Sequence, residues 1–229
     1  MRSTKNFNQT QSKLQLKKIH PNLQKGLTEN GLEEAFELIA DTWTSVKSGA
    51  DCVIASGKGT GKTTLLVIST IQKLQKAEGE STRALILAED KEKVLELVEL
   101  FQTYGQYTDL RVIGVHDKGD TDYDKNQISL GMDVIIGTAS KINALFSSAG
   151  FNLNTIRIFA VDDADVLFKI RQDAVVLRLS ASAAKTQYVF VCNEITERVW
   201  ILADKVMTEP LFFEPGEDEE EDDTDGEEE

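Results

Sequence analysis

Two short stretches carry residue types able to handle a nucleoside triphosphate. The first is Ala55-Ser56-Gly57-Lys58-Gly59-Thr60-Gly61-Lys62-Thr63-Thr64. Its alternating glycines let the backbone bend so that successive N–H groups can face phosphate oxygens. An apolar run, Asp51 to Ala55, leads into it and a helical pattern follows at once, which is the strand–loop–helix context a phosphate-binding loop requires. A helix starting there would add partial positive charge. In this reading Ser56, Gly57, Lys58, Gly59, Thr60, Gly61, Lys62, Thr63 and Thr64 hold ATP or a close relative. Lys62 meets the β/γ-phosphates and Thr63 places its hydroxyl on Mg2+. The strict pattern has glycine at position 56, where this chain has serine. The second stretch is Ile158-Phe159-Ala160-Val161-Asp162-Asp163-Ala164-Asp165. An apolar strand here delivers acids at its C-terminal end, the edge of a parallel sheet where ligands bind. Asp162 would hold Mg2+, mostly through water, and Asp163 would orient or deprotonate an attacking water. The plainer readings are a chance glycine-rich turn and a solvated acidic turn capping a helix. Each stretch strengthens the functional reading of the other.

These residues need a sheet to bring them together, and the rest of the sequence supplies one. Strands are expected at 51–55, 83–88, 110–115, 133–136, 156–161, 187–191 and 211–213, where short apolar runs occur. Helices are expected between them at 61–77, 90–104, 121–130, 139–147, 171–184 and 195–206. Residues 19–48 read as further helices, interrupted at Gly31 and ended at Gly49. Buried strands alternating with helices predict a parallel α/β fold with helices on both sheet faces. Proline occurs only at positions 21, 210 and 215, so nothing breaks the interior elements.

Charge narrows the choice of partners. Of 229 residues, 39 are Asp or Glu and 25 Lys or Arg. Residues 217–229 carry 11 acids and no base, a self-repelling tail expected to be disordered. Residues 1–28 carry six bases and no acid. The middle of the chain is therefore net acidic, unlike a strong nucleic-acid binder. Cys52 and Cys192 lie in apolar runs and read as reduced core thiols of a cytoplasmic protein. With His20 and His116 they show no metal-type spacing. No apolar run is long enough to span a bilayer, and the N-terminus lacks a secretory core. Trp43, Trp200, Phe212 and Phe213 read as packing residues, and Arg171 and Arg178 as a solvated helix face.

The order of these motifs resembles the first RecA-like domain of a DEAD-box RNA helicase, over residues 19–214. Asp162-Asp163-Ala164-Asp165 stands where that family has D-E-A-D, and the 56–63 loop matches its AxTGxGKT form loosely. The deviant loop of partitioning ATPases fits less well, because position 57 is glycine and Lys58 precedes Lys62 by four. The resemblance implies a P-loop NTPase, RecA-like, with a parallel sheet sandwiched by helices in three α/β/α layers. It implies one such unit at 19–214 between a basic flexible arm, 1–18, and a disordered acidic tail, 215–229. It also implies ATP and Mg2+ as cofactors. Ile136 to Lys141 is similar to the family's RNA-holding TPGR segment, which makes Thr138 and Lys141 nucleic-acid candidates together with Lys91.

Several positions depart from the family pattern. The adenine-reading glutamine corresponds to Ile39 and the stacking aromatic to Asn22. The PTREL segment reads Glu89-Asp90-Lys91-Glu92-Lys93, and the SAT segment reads Cys192-Asn193-Glu194. The family's second domain, with its arginine fingers, is not expected in this chain. An arginine finger is worth roughly 10³–10⁵ in rate, so at most slow hydrolysis and no autonomous unwinding follow. Three readings remain open: a nucleotide-binding, at most slow ATPase; a catalytically inactive interaction module; or a nucleic-acid-dependent ATPase completed by a partner, binding RNA through Lys91, Lys93, Lys141 and the basic arm. The first could be completed by a protein partner, or by self-association, that supplies an arginine.

Overall fold

The computed structural model describes residues 4–7, 12–13, 18–32, 34–35 and 37–215. Its centre is a sheet of eight strands: β1 (Thr4–Phe7), β4 (Cys52–Ala55), β5 (Ala84–Ala88), β6 (Val112–Val115), β7 (Val134–Thr138), β8 (Ile158–Val161), β9 (Gln187–Cys192) and β10 (Leu211–Pro215). Their spatial order is β1-β10-β4-β9-β8-β5-β7-β6, and every neighbouring pair is parallel. A two-residue antiparallel ladder joins β2 (Ser12–Lys13) to β3 (Glu34–Ala35). The acidic tail lies outside the described residues. Thr4–Phe7 and Ser12–Lys13, inside the segment read as a flexible arm, are strands.

A parallel sheet must be covered on both faces, so its strands are apolar throughout rather than alternating. Every residue of β4, β5 and β8 is buried. Cys52 and Ile54 point to one core, and Val53 and Ala55 to the other. The first core packs under α1 (Pro21–Glu29), α2 (Glu37–Ser48), α3 (Lys62–Leu74) and α4 (Lys91–Tyr104), with Leu27, Trp43, Ile68 and Leu97 fully buried or nearly so. The second packs under α6 (Ala139–Ser147), α7 (Ala164–Lys169), α8 (Asp173–Ser180) and α9 (Glu197–Val206), with Leu145, Phe168, Leu179 and Ala203 buried. Phe168 meets Phe190 edge to face at 5.6 Å. Truncating either ring to alanine would cost about 3–5 kcal/mol. Helix α5 (Thr121–Ser129) follows β6. This is the three-layer RecA-like sandwich expected from the sequence.

Strand order makes the site. The strands β4, β9, β8 and β5 are consecutive neighbours, so whatever follows each of them shares one stretch of the C-terminal sheet edge. The opposite edge is tied by polar bonds. Asp51 accepts from the backbone N–H of Tyr188 and of Thr208, both at 2.7 Å. Gln187 Nε2 donates to the carbonyls of Val46 and Ala50.

Candidate nucleotide site

The loop after β4 has the shape its glycines require. Gly59 and Gly61 take φ of 77° and 89°, a left-handed backbone that glycine adopts at no steric cost. Thr60 Oγ1 donates to the Gly57 carbonyl at 2.9 Å, closing the turn. Ser56 N donates to the Cys192 carbonyl at 3.1 Å and so pins the loop to β9. The Ser56 hydroxyl is buried and has no partner, a polar atom left for something the cradle would hold. Lys62 opens α3 and is 7% exposed. Its ammonium turns into the loop and donates to the Ser56 and Gly57 carbonyls at 2.5 Å each. Burial pushes the Lys62 pKa down, opposed by the nearby Asp163 and Asp162 carboxylates.

Next along α3, Thr63 donates its hydroxyl to Asp162, with oxygens 3.1 and 3.3 Å away. Asp162 immediately follows β8 and is fully buried. Burial and the neighbouring Asp163 push its carboxyl up to about 6, against the pull of Lys93 and Thr63. Asp163 has left-handed backbone, φ 46°, at the N-terminus of α7, which turns its side chain back toward the cleft. The hydroxyl of Thr63 and the carboxylate of Asp162 are hard oxygen donors of the kind Mg2+ takes. They are the oxygen groups such a cation would use, and the Lys93 ammonium lies 3.5 Å from Thr63 Oγ1 and 3.7 Å from Asp162.

Two neighbours come from the segments at the PTREL and SAT positions, which the sequence does not assign to the nucleotide. Asn193 follows β9, between the two motif strands. It accepts from Lys62 Nζ at 3.4 Å, and its backbone and side-chain N–H groups donate to Asp165 at 3.1 and 3.2 Å. It therefore bridges the loop and the acidic strand end. Lys93 follows β5, in the first turn of α4. Its ammonium lies 3.7 Å from Asp162, 3.6 Å from Asp163 and 3.1 Å from Glu96. Burial works against its charge, but Asp162, Glu96 and Asp163 outweigh burial and raise its pKa above the ordinary lysine value.

The resulting cleft holds about 610 Å³, within the range of small-molecule sites. Lys58, Gly59 and Thr64 line it from the loop side, and Glu89, Asp90 and Glu92 from the β5–α4 turn. Asp90 is the N-cap of α4, accepting from Lys93 N at 2.8 Å. That explains an acid in the segment where the family pattern has PTREL.

The other nucleic-acid candidates fare differently. Lys91 is half-buried at the start of α4, on the C-terminal sheet edge. Thr138 is 4% exposed, and its hydroxyl donates to Asp117 at 3.0 Å. Lys141 is also 4% exposed, and its ammonium is spent on Asp124 at 2.9 Å, the Gly119 carbonyl and Thr121. In this structure both tie β7 and α6 to the β6–α5 connection. Ile39, at the adenine-reading position, is fully buried in the core of α2, and Asn22 is exposed on α1. Arg178 is bonded to Asn143 and Ser147 and lies over the Phe146 ring.

A parallel sheet, a glycine loop opening α3 and a buried acid after the next strand but one define a P-loop fold of the RecA-like kind. Comparison with known proteins narrows the class. The DEAD/DEAH box helicase family profile matches residues 38–192, and this chain belongs to that family. It is similar to the ATP-dependent RNA helicase eIF4A of Lodderomyces elongisporus, 26% identical over 200 residues covering 84% of this chain and 49% of that protein. The ATP-dependent RNA helicase RhlB of Shewanella oneidensis is 27% identical over 158 residues, 66% of this chain and 36% of that protein. The ATP-dependent RNA helicase uap56 of Schizosaccharomyces pombe is 23% identical over 201 residues, 84% and 46% respectively. The chain thus spans about half or less of the relatives it matches.

Proposed function

We propose that this protein is an ATP-binding switch of the DEAD-box type, with at most slow hydrolysis and no autonomous unwinding. The observation that carries this reading is the joint placement of Lys62, Thr63 and Asp162 about one cleft. Ser56 to Thr64 hold the phosphates through loop N–H groups and the α3 N-terminus. Lys62 is a preplaced charge for the β/γ-phosphates, already turned into the cradle. Thr63 and Asp162 carry the oxygen donors that Mg2+ would take, and a metal held there would supply charge stabilisation to the phosphates. Asp163 stands ready to take a proton from water, but it is about one methylene shorter than the glutamate of the family pattern, and catalytic geometry tolerates little displacement. Among the described residues lining the cleft there is no arginine. Fast turnover would need a guanidinium from a protein partner or a second copy of this chain.

The internal placement of Thr138 and Lys141 favours a second reading, an interaction module whose RNA path has decayed. An equilibrium titration with ATP and with GTP, in Mg2+, separates the two. Wild type should saturate with ATP, and Lys62→Ala should bind at least about tenfold more weakly, one lost charge-assisted contact. No binding at millimolar nucleotide would give the interaction module the lead. ATP-driven strand separation by the chain alone would overturn the claim of no autonomous unwinding.

A further inference from the structure

Lys93 stands where the cation of this site belongs. Asp90 caps α4 through the Lys93 N–H, which fixes Lys93 at the third position of the helix. Side chains on a helix lean toward its N-terminus, here toward the sheet edge. The Lys93 ammonium consequently lies 3.5 Å from Thr63 Oγ1, 3.7 Å from Asp162 and 3.6 Å from Asp163. These three oxygen groups come from two segments far apart in the chain: α3 and the turn between β8 and α7. A surface pair with Glu96 alone would not draw the ammonium onto Thr63, and its side chain is 22% exposed against 52% for Glu96. Thr63 and Asp162 are the two donors named above for Mg2+. A divalent cation taking the same two oxygen groups would have to displace the Lys93 ammonium from them.

We propose that the Lys93 ammonium is the resident cation of the nucleotide site. It neutralises Asp162 and Asp163 and donates to phosphate oxygens in place of Mg2+, so the protein binds the triphosphate of ATP without a divalent metal. An ammonium offers one charge and three donors, whereas Mg2+ offers two charges and an octahedral shell that orders water. The substitution supports binding and leaves the attacking water poorly organised, in keeping with a switch rather than a fast hydrolase. The inference rests on the cleft being a nucleotide site, and the test keeps the two apart.

The test is ATP affinity by calorimetry in excess EDTA and in excess Mg2+, for the full chain and two variants. Wild type and Lys93→Arg, which keep the charge, should bind ATP with affinities that agree within about threefold between the two buffers, under 0.7 kcal/mol. Lys93→Leu should bind about ten- to a hundredfold more weakly in EDTA, the loss of a charge-assisted hydrogen bond, and Mg2+ should restore it. A wild type that needs Mg2+ by about tenfold or more overturns the proposal. Binding of Mn2+ to the nucleotide-free protein, followed by electron paramagnetic resonance, is the independent arm. Lys93→Leu should gain a Mn2+ site that wild type lacks, and equal uptake by both overturns the proposal. If no form binds ATP in either buffer, the nucleotide reading falls and the Mn2+ arm alone decides the role of Lys93.

Discussion

Asp133 and Asp162 are both fully buried, at opposite edges of the same sheet, and the fold treats them in opposite ways. Asp133 immediately precedes β7 at the N-terminal edge. It accepts from Arg83 Nη2 at 2.5 Å, Arg111 Nε at 2.8 Å, and the backbone N–H groups of Arg111 and Glu78. Burial alone would raise its pKa; the hydrogen bonds from Arg111 and Arg83 outweigh burial and hold it below the usual carboxylate range. Asp162 immediately follows β8 at the C-terminal edge. It has a threonine hydroxyl, the Asp163 N–H at 3.2 Å and an ammonium 3.7 Å away, and its carboxyl is pushed up to about 6. A buried carboxylate with every lone pair met is a structural tie. One left short of partners beside a cleft is held in readiness for a ligand.

The largest expected effect comes from breaking the tie. Asp133→Ala leaves Arg83, whose side chain is 4% exposed, without its buried counter-charge. Losing one partner of such a pair costs about 3–5 kcal/mol, read as a lower urea midpoint. A loss under about 1 kcal/mol, the scale of a surface pair, would mean that Asp133 is no tie.

Asp162→Asn should do the reverse and stabilise the protein. The folded pKa of Asp162 lies above its unfolded value near 4, so the folded state holds the proton more tightly. Its contribution is favourable at low pH and is lost as pH rises from about 4 to about 6. At 1.36 kcal/mol per unit, the neutral amide should gain up to about 3 kcal/mol over wild type above pH 6, shrinking toward zero near pH 4. Denaturation of both proteins across that window checks the sign. A gain that does not change with pH would place its cause elsewhere.

The sequence shows some of this and hides the rest for a physical reason. The seven strands from Cys52 to Pro215 were readable because strands buried on both faces are continuous apolar runs. The 55–64 loop and the Asp162–Asp165 acids were readable as places because each is local in the chain. Helix α7, ADVLFK, is too short to show a helical period: it is six residues long and begins inside the acidic stretch. Strand β1, TKNF, has no apolar signature, and its partner β10 lies at the other end of the chain. Lys93 and Asn193 enter the site only because β5 and β9 neighbour β8, and local pattern carries no strand order. Lys141 reads in the sequence as a basic residue open to RNA, and local pattern carries no sign of its ion pair with Asp124 on α5.

Arg111→Ala tests the tie more gently. The Arg111 side chain is 33% exposed, and water can replace part of what it gives Asp133. A loss of about 1 kcal/mol is expected, well below that of Asp133→Ala. A loss equal to the aspartate's would mean that Arg83 contributes little.

Glu96→Gln probes the other edge with the smallest effect. Glu96 is 52% exposed and meets Lys93 at 3.1 Å across one helical turn. Exposed pairs of this kind contribute about 0.2–1 kcal/mol, with helical ones near the lower end. If Lys93 is anchored on Thr63, Asp162 and Asp163, the glutamine variant should unfold within about 0.5 kcal/mol of wild type. A loss of about 1.5 kcal/mol or more, beyond what an exposed pair supplies, would put the anchor of Lys93 on the helix surface. Asp162 would then lack even its weak internal cation, and the contrast with Asp133 would widen from under-partnered to unpartnered.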